Sequence, residues 1–341
     1  MRLCGRVREW GFAAGGLALS ACTVPASGVG DHWKPPSDQW QLVWSDEFEG
    51  PAQSAPDPTK WAQYVRGCNY NDEMEFYTDS RNNSYLDGQG RLVIQAIRED
   101  YDINHKFTSG RLETLGSMEQ LYGAFEARIK LPSGKGLWPA FWLLGNDFLN
   151  AQGQPTWPQA GEADILEMHG SNPHQISGAI HMPGFCGGGG TQLCMSGPLS
   201  RDFVLPNGGS FADDFHVFRF EWADTGMRWL VDGKSFHERS RANMEKLGVP
   251  WVFNHPFFMI LNLAVGGAFD GNPIATTVFP QQLIVDYVRV YTLPGMSGPT
   301  QGPPRSTASR PDFPNLNCPS RDAGVAPLTS DASTTSAPAA P

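Results

Sequence analysis

The sequence predicts an all-β fold, two sheets packed as a sandwich, and three observations carry that expectation. Apolar runs of strand length recur along the chain with turn residues between them. Gly (38) and Pro (28) are frequent enough to supply those turns. Segments of helical period are nearly missing. In order, Arg91–Ala96 follows the turn Asp87-Gly88-Gln89-Gly90 and reads as a strand. Residues 123–130 alternate cleanly between apolar and polar positions, as a half-buried strand does. Residues 215–222 alternate in the same way, and 227–231 run into the turn Asp232-Gly233. Residues 257–263 and 283–291 are further strands. The one helical segment expected is a short surface helix over 241–247. No repeat of solenoid period is visible.

The two ends of the chain read as something other than fold. Arg2, Arg6 and Arg8 precede a short apolar stretch from Gly11 to Ser20, and Leu19-Ser20-Ala21-Cys22 follows. That order predicts export, and it resembles a bacterial lipoprotein signal over residues 1–22 with a lipid on Cys22. The apolar stretch is too short to span a bilayer as an ordinary helix, so any membrane contact is expected through that lipid alone. A plain secretory signal cleaved near Ala21 is the competing reading. The expected location is the bacterial cell envelope, outer membrane or periplasm, or release from the cell. Residues 23–38 read as a linker, 39–293 as one domain, and 294–341 as a disordered tail rich in Pro, Ser, Thr and Ala. Cys186 and Cys194 flank a short Gly-rich loop, which in an exported protein favours a local disulfide. Cys68 and Cys318 could also pair. The net charge of −10 and the lack of a Lys/Arg cluster argue against nucleic acid as a partner. A monomer is expected.

The acidic run Glu162-Ala163-Asp164-Ile165-Leu166-Glu167 carries the chemistry. Its other members are small or aliphatic, so it reads as a strand. Side chains alternate faces with period two, so Glu162 and Asp164 share a face. Glu167 lies an odd number of residues from both and would point the other way in a regular strand. One β-bulge between Asp164 and Glu167 restores the parity and brings three carboxylates to one cleft. Crowded carboxylates hold a proton at a higher pH than isolated ones, which suits acid/base work. The competing reading is a solvated strand edge.

Trp138 and Trp142 stand about twenty residues before that run and differ by four, so one strand can present both on one face. Flat aromatic faces stack on the apolar faces of pyranose rings with little loss of conformational entropy. Alternatively both fill the sandwich core.

These residues, with their flanks, resemble glycoside hydrolase family 16 in its laminarinase-like, endo-β-1,3-glucanase branch. The likeness rests on 161–167, on Trp44-Ser45-Asp46-Glu47-Phe48, on Asn71 to Thr78, and on Ser109-Gly110-Arg111-Leu112 before 122–128. Leu261 to Gly267 and Val285 to Tyr291 extend it in the same order. The resemblance implies a jelly-roll β-sandwich of concanavalin A type with a concave sugar cleft. It implies a retaining hydrolase of β-1,3- or mixed β-1,3/1,4-glucan, with Glu162 as nucleophile, Glu167 as acid/base and Asp164 as the assisting carboxylate. A transglycosylase uses the same intermediate, and a noncatalytic glucan-binding protein is the alternative outside enzymes. Ala163 stands where the family has a bulkier aliphatic residue. His181 matches a strand on which the family often places a cleft histidine; taken alone it reads as a satisfied structural histidine. Asn71 and Glu73 match an early cleft segment. Arg111 is expected either to bind sugar hydroxyls or to pair with a structural acid. No catalytic cofactor is implied. A structural calcium ion is, at Glu47, the Gly88 carbonyl and Asp286, where hard oxygen ligands gather, with ordinary strand-end polar groups as the competing reading.

Overall fold

The computed structural model describes residues 32–67, 69–183, 199–246 and 248–301. The expected signal with Cys4 and Cys22, the Cys186–Cys194 loop, Cys68 and Cys318 lie outside those residues. The described residues form two sheets. One contains β1 (Gln41–Asp46), β3 (Glu75–Tyr77), β4 (Ser84–Leu86), β5 (Leu92–Arg98), β6 (Phe107–Ser109), β8 (Gly123–Lys130), β13 (His216–Ala223), β14 (Gly226–Val231), β15 (Lys234–Ser240) and β17 (Gln281–Thr292). The other runs in the order β12-β11-β10-β9-β16-β7-β2, formed by β2 (Ala62–Gln63), β7 (Arg111–Glu113), β9 (Leu137–Gly145), β10 (Glu162–Glu167), β11 (Gln175–His181), β12 (Ser200–Val204) and β16 (Phe257–Val265). Pairing is antiparallel except between β3 and β6. The expected surface helix is α1 (Arg241–Lys246), and a single turn, α2 (Gly267–Asp270), follows β16.

The core lies between the sheets, because each strand turns alternate residues inward. In β8, Phe125, Ala127 and Ile129 are buried while Glu126, Arg128 and Lys130 face out. Trp222 of β13 meets Phe257 of β16 edge-on at 5.1 Å, joining the two layers. β16 sits between β9 and β7 and is buried at every position. Its residues alternate between the main core and a second layer in which Phe258 and Ile260 pack with Leu144 and Phe148. Among the described residues no helix is long and apolar enough to cross a membrane.

The packed region reaches past both expected domain limits. Trp33, in the expected linker, is buried, and its indole N–H donates to the Thr225 hydroxyl at 3.0 Å. Gly226 leaves the room that this indole fills. At the other end, Thr300 exchanges two backbone hydrogen bonds with Glu119. A lone tryptophan among prolines, and a backbone bridge made by polar residues, leave no periodic trace in a sequence.

Candidate active site

The acidic run is β10, and its ladder breaks where parity requires it. Against β11, Glu162 faces His181, Asp164 faces Ala179 and Glu167 faces Ser177, with a register shift between Asp164 and Glu167. Against β9 the partners are Leu144, Trp142 and Ala140. Residues opposite one another in an antiparallel ladder share a face, so all three carboxylates share one side of the sheet. Ile165 and Leu166 both enter the core, which is the local signature of the bulge. Gly161, with φ of +72°, turns the chain into β10 under the Phe257 ring.

The bulge is tied to the opposite sheet. The buried Trp229 indole of β14 donates to the Asp164 carbonyl at 2.8 Å. A Cβ on Gly178 of β11 would stand 2.7 Å from that indole. The missing side chain is what lets Trp229 reach the break.

Trp138 and Trp142 share the carboxylate face and are half-buried. The Trp138 indole donates to Glu167 Oε1 at 2.9 Å, and the Trp142 indole to Asn262 Oδ1 at 2.8 Å. A third indole, Trp157, donates to Glu162 Oε2 at 3.0 Å. His181 Nε2 lies 3.0 Å from Asp164 Oδ2 and 3.7 Å from Glu162 Oε1. Arg111 shares this face but is bound to Glu113 at 2.8 Å, and its guanidinium lies over Tyr64 and Trp142. It therefore pairs with a structural acid while its plane fixes Trp142. Glu73 is coupled to this wall through Tyr77, whose hydroxyl lies 3.5 Å from Glu73 Oε2 and accepts from Asn262 Nδ2 at 3.1 Å. Asn71 sits exposed in a left-handed turn, and its carbonyl accepts from the Ala268 N–H at 2.7 Å.

Burial is the main cause of the site's unusual proton affinities. It raises Glu167 to about 8 and Glu162 to about 7, and in both the charge of Asp164 adds to the effect. For His181, burial pulls the other way. The hydrogen bond and charge of Asp164, with the charges of Glu162 and Glu167, overcome it and raise the imidazole to about 10. The site at neutral pH thus holds one imidazolium amid three carboxyl groups. Such an arrangement can offer a carboxylate and a carboxylic acid at once.

The carboxylates expected to hold calcium lie elsewhere and are already paired. Both oxygens of Glu47 are taken by Arg289, at 3.0 and 2.9 Å. Asp286 is bound by Arg128 at 2.8 Å, with Arg91 at 4.0 Å. Gly88 packs on Ala52. Guanidinium groups already neutralise both carboxylates, so these side chains are not free oxygen ligands.

Residues 70–289 match the profile of glycosyl hydrolases family 16. The chain belongs to this family. It is 38% identical over 283 residues to a β-glucanase of Rhodothermus marinus, covering 80% of this chain and 92% of that one. Among solved structures, it resembles the laminarinase catalytic domain of Thermotoga maritima at 41% identity and a TM-score of 0.66, over 74% of this chain and 98% of that one. The endo-β-1,3-glucanase of Pyrococcus furiosus matches at 42% identity and a TM-score of 0.65, over 77% and 96%. The sandwich of this family-16 chain is accordingly a jelly roll.

Several site residues escaped the sequence reading. Trp157 stands five residues before Glu162 in a Pro-flanked segment, and that proximity was its one available signal. Tyr77 and Asn262 lay within segments that carry the resemblance but were given no role, and Phe269, which stacks on Trp138 at 4.6 Å, carried no signal.

Proposed function

We propose that this chain is a retaining, endo-acting hydrolase of β-1,3-glucan or mixed β-1,3/1,4-glucan. The observation that carries the reading is the bulged strand, which turns Glu162, Asp164 and Glu167 to one face between indoles. Glu162, as the carboxylate, attacks the anomeric carbon. Glu167, as the acid, gives its proton to the departing glycosidic oxygen. A covalent glycosyl-enzyme results. Glu167, now a base, takes a proton from water, the water oxygen attacks the same carbon, and Glu162 leaves. Asp164 and the His181 cation hold Glu162 in place and moderate its charge. Trp138 and Trp142 offer stacking surfaces for sugar rings, and Asn71 and Glu73 border the same groove. The nucleophile and both proton transfers come from the chain's own side chains. A noncatalytic binding protein has no need of both glutamates.

Reducing ends released from laminarin test the activity, and proton NMR of the earliest product tests the stereochemistry. The β-anomer is expected first. An initial α-anomer, or no release, would overturn the reading.

We propose also that the protein is exported and anchored by lipid on Cys22. The basic start, the apolar stretch and Leu19-Ser20-Ala21-Cys22 support this. One diacyl anchor with an N-acyl chain would hold it more firmly than a single chain. Cell fractionation of wild type and Cys22→Ala is the test, and equal solubility with identical processing would refute it.

A further inference from the structure

The turn α2 joins the strands that carry Trp138 and Glu167. Asp270 is 3% exposed. Its carboxylate accepts from the Gly136 N–H at 2.7 Å and from the Ser171 N–H at 3.1 Å, and it binds the Ser171 hydroxyl as well. Lys135 Nζ lies 3.5 Å away and His169 Nδ1 3.6 Å. Gly136 leads into β9, which carries Trp138, and Ser171 follows β10, which carries Glu167. One buried carboxylate thus pins α2 to the start of one strand and to the exit of the other.

The residue beside it is the payload of that anchor. Phe269 lies between two rings: its centroid is 4.6 Å from Trp138, with planes at 19°, and 3.8 Å from His169, with planes at 10°. The three rings form one stack that fixes the plane of the Trp138 indole. That indole is the hydrogen-bond donor to Glu167 Oε1. A stacked aromatic contact of this kind adds to the burial of its rings and favours one rotamer of a half-buried tryptophan.

We infer that Phe269, held by Asp270, is a positioning residue for the general acid: it sets the Trp138 indole that aims Glu167 at the departing oxygen. This rests on the assignment of Glu167 as the proton donor. Neither Phe269 nor Asp270 takes part in proton transfer.

Leaving-group dependence separates this role from a structural one. The variants are Phe269→Leu, Phe269→Tyr and Asp270→Asn in the full chain. The substrates are aryl β-laminaribiosides of similar size that differ in phenol acidity, and kcat/KM reports formation of the glycosyl-enzyme. A dinitrophenolate needs no proton to depart, whereas a phenolate does. Phe269→Leu and Asp270→Asn are expected to leave the dinitrophenyl substrate within about twofold of wild type. The phenyl substrate should lose about tenfold or more, within the range that acid catalysis supplies. Phe269→Tyr, which keeps the stack, should match wild type.

A parallel loss on every substrate would mean that Phe269 merely supports the fold or touches the substrate, and the inference falls. No loss on any substrate also defeats it. If Asp270→Asn does not fold, the Leu and Tyr variants at Phe269 decide alone. Glu167→Gln is the control: if it shows no steeper leaving-group dependence than wild type, the assignment of the acid has failed, and not the role of the stack.

Discussion

The outer faces of the two sheets both carry rows of charged side chains, and they treat carboxylates in opposite ways. On and beside the ten-stranded sheet a row of acids meets guanidinium groups. Arg219 binds Glu126 and Glu221, Arg228 binds Glu221, Arg289 binds Glu47, and Arg128 binds Asp286. There Glu47 is held below its ordinary value, chiefly by its hydrogen bond to Arg289. On the seven-stranded sheet Glu162, Asp164 and Glu167 share one imidazole, and the nearby Arg111 is taken by Glu113. Both glutamates there are pushed up into the neutral range. A paired carboxylate is chemically quiet, while a buried and crowded one becomes a proton donor near working pH. The reactive face is the one from which arginine has been diverted.

Breaking the reactive face should have the largest effect. Glu162→Gln is expected to lower kcat on laminarin by about ten-thousand-fold or more, since no glycosyl-enzyme can form. Glu167→Gln should cost about a hundred- to ten-thousand-fold, with partial rescue by azide or by a good leaving group. Near-normal turnover in either variant, measured by reducing-end release, would dissolve the contrast between the faces.

The tryptophans sharpen it next. Trp222 is fully buried, and Trp222→Ala should cost about 3–5 kcal/mol in denaturant unfolding. Trp142→Ala, on the open face, should instead weaken oligosaccharide binding with a much smaller stability loss. Isothermal titration and melting curves on both variants check this, and the reverse pattern would place Trp142 in the core.

A subtler break concerns the support beneath the bulge. Gly178→Ala would press a methyl group against Trp229, at about 1–3 kcal/mol for overpacking. Turnover should fall as well, because Trp229 holds the Asp164 carbonyl. Loss of stability with unchanged kcat would show that the tether does not serve the site.

The smallest expected effect lies in the pH profile. Activity needs Glu162 ionised and Glu167 protonated. It should therefore fall as pH drops below about 7 and as it rises above about 8, with the apparent values belonging to the coupled pair. The His181 cation lowers both groups. His181→Gln should raise both and move the profile of kcat/KM upward by about one unit, so that the loss is greater at low pH than at high pH. An unmoved or downward-shifted profile would remove His181 from the electrostatics of the site.

Much of this was legible in the sequence, for a physical reason. A strand's period of two is local, so residues 123–130 announced β8 with its inward Phe125 and outward Glu126. The same rule made Glu167 anomalous beside Glu162 and Asp164, and the anomaly located the bulge. Even the short helix showed, as α1. Tertiary structure alone decided which distant partners the side chains found. Glu47 and Asp286 were plausible oxygen ligands until Arg289 and Arg128 were folded onto them, the first from 242 residues away. Tyr77 and Asn262 meet across 185 residues, and Trp229 reaches Asp164 across 65. Periodicity tells which face a side chain takes, because that depends on its neighbours in the chain. It cannot tell what waits on that face, because ladder register and sheet packing bring that from elsewhere.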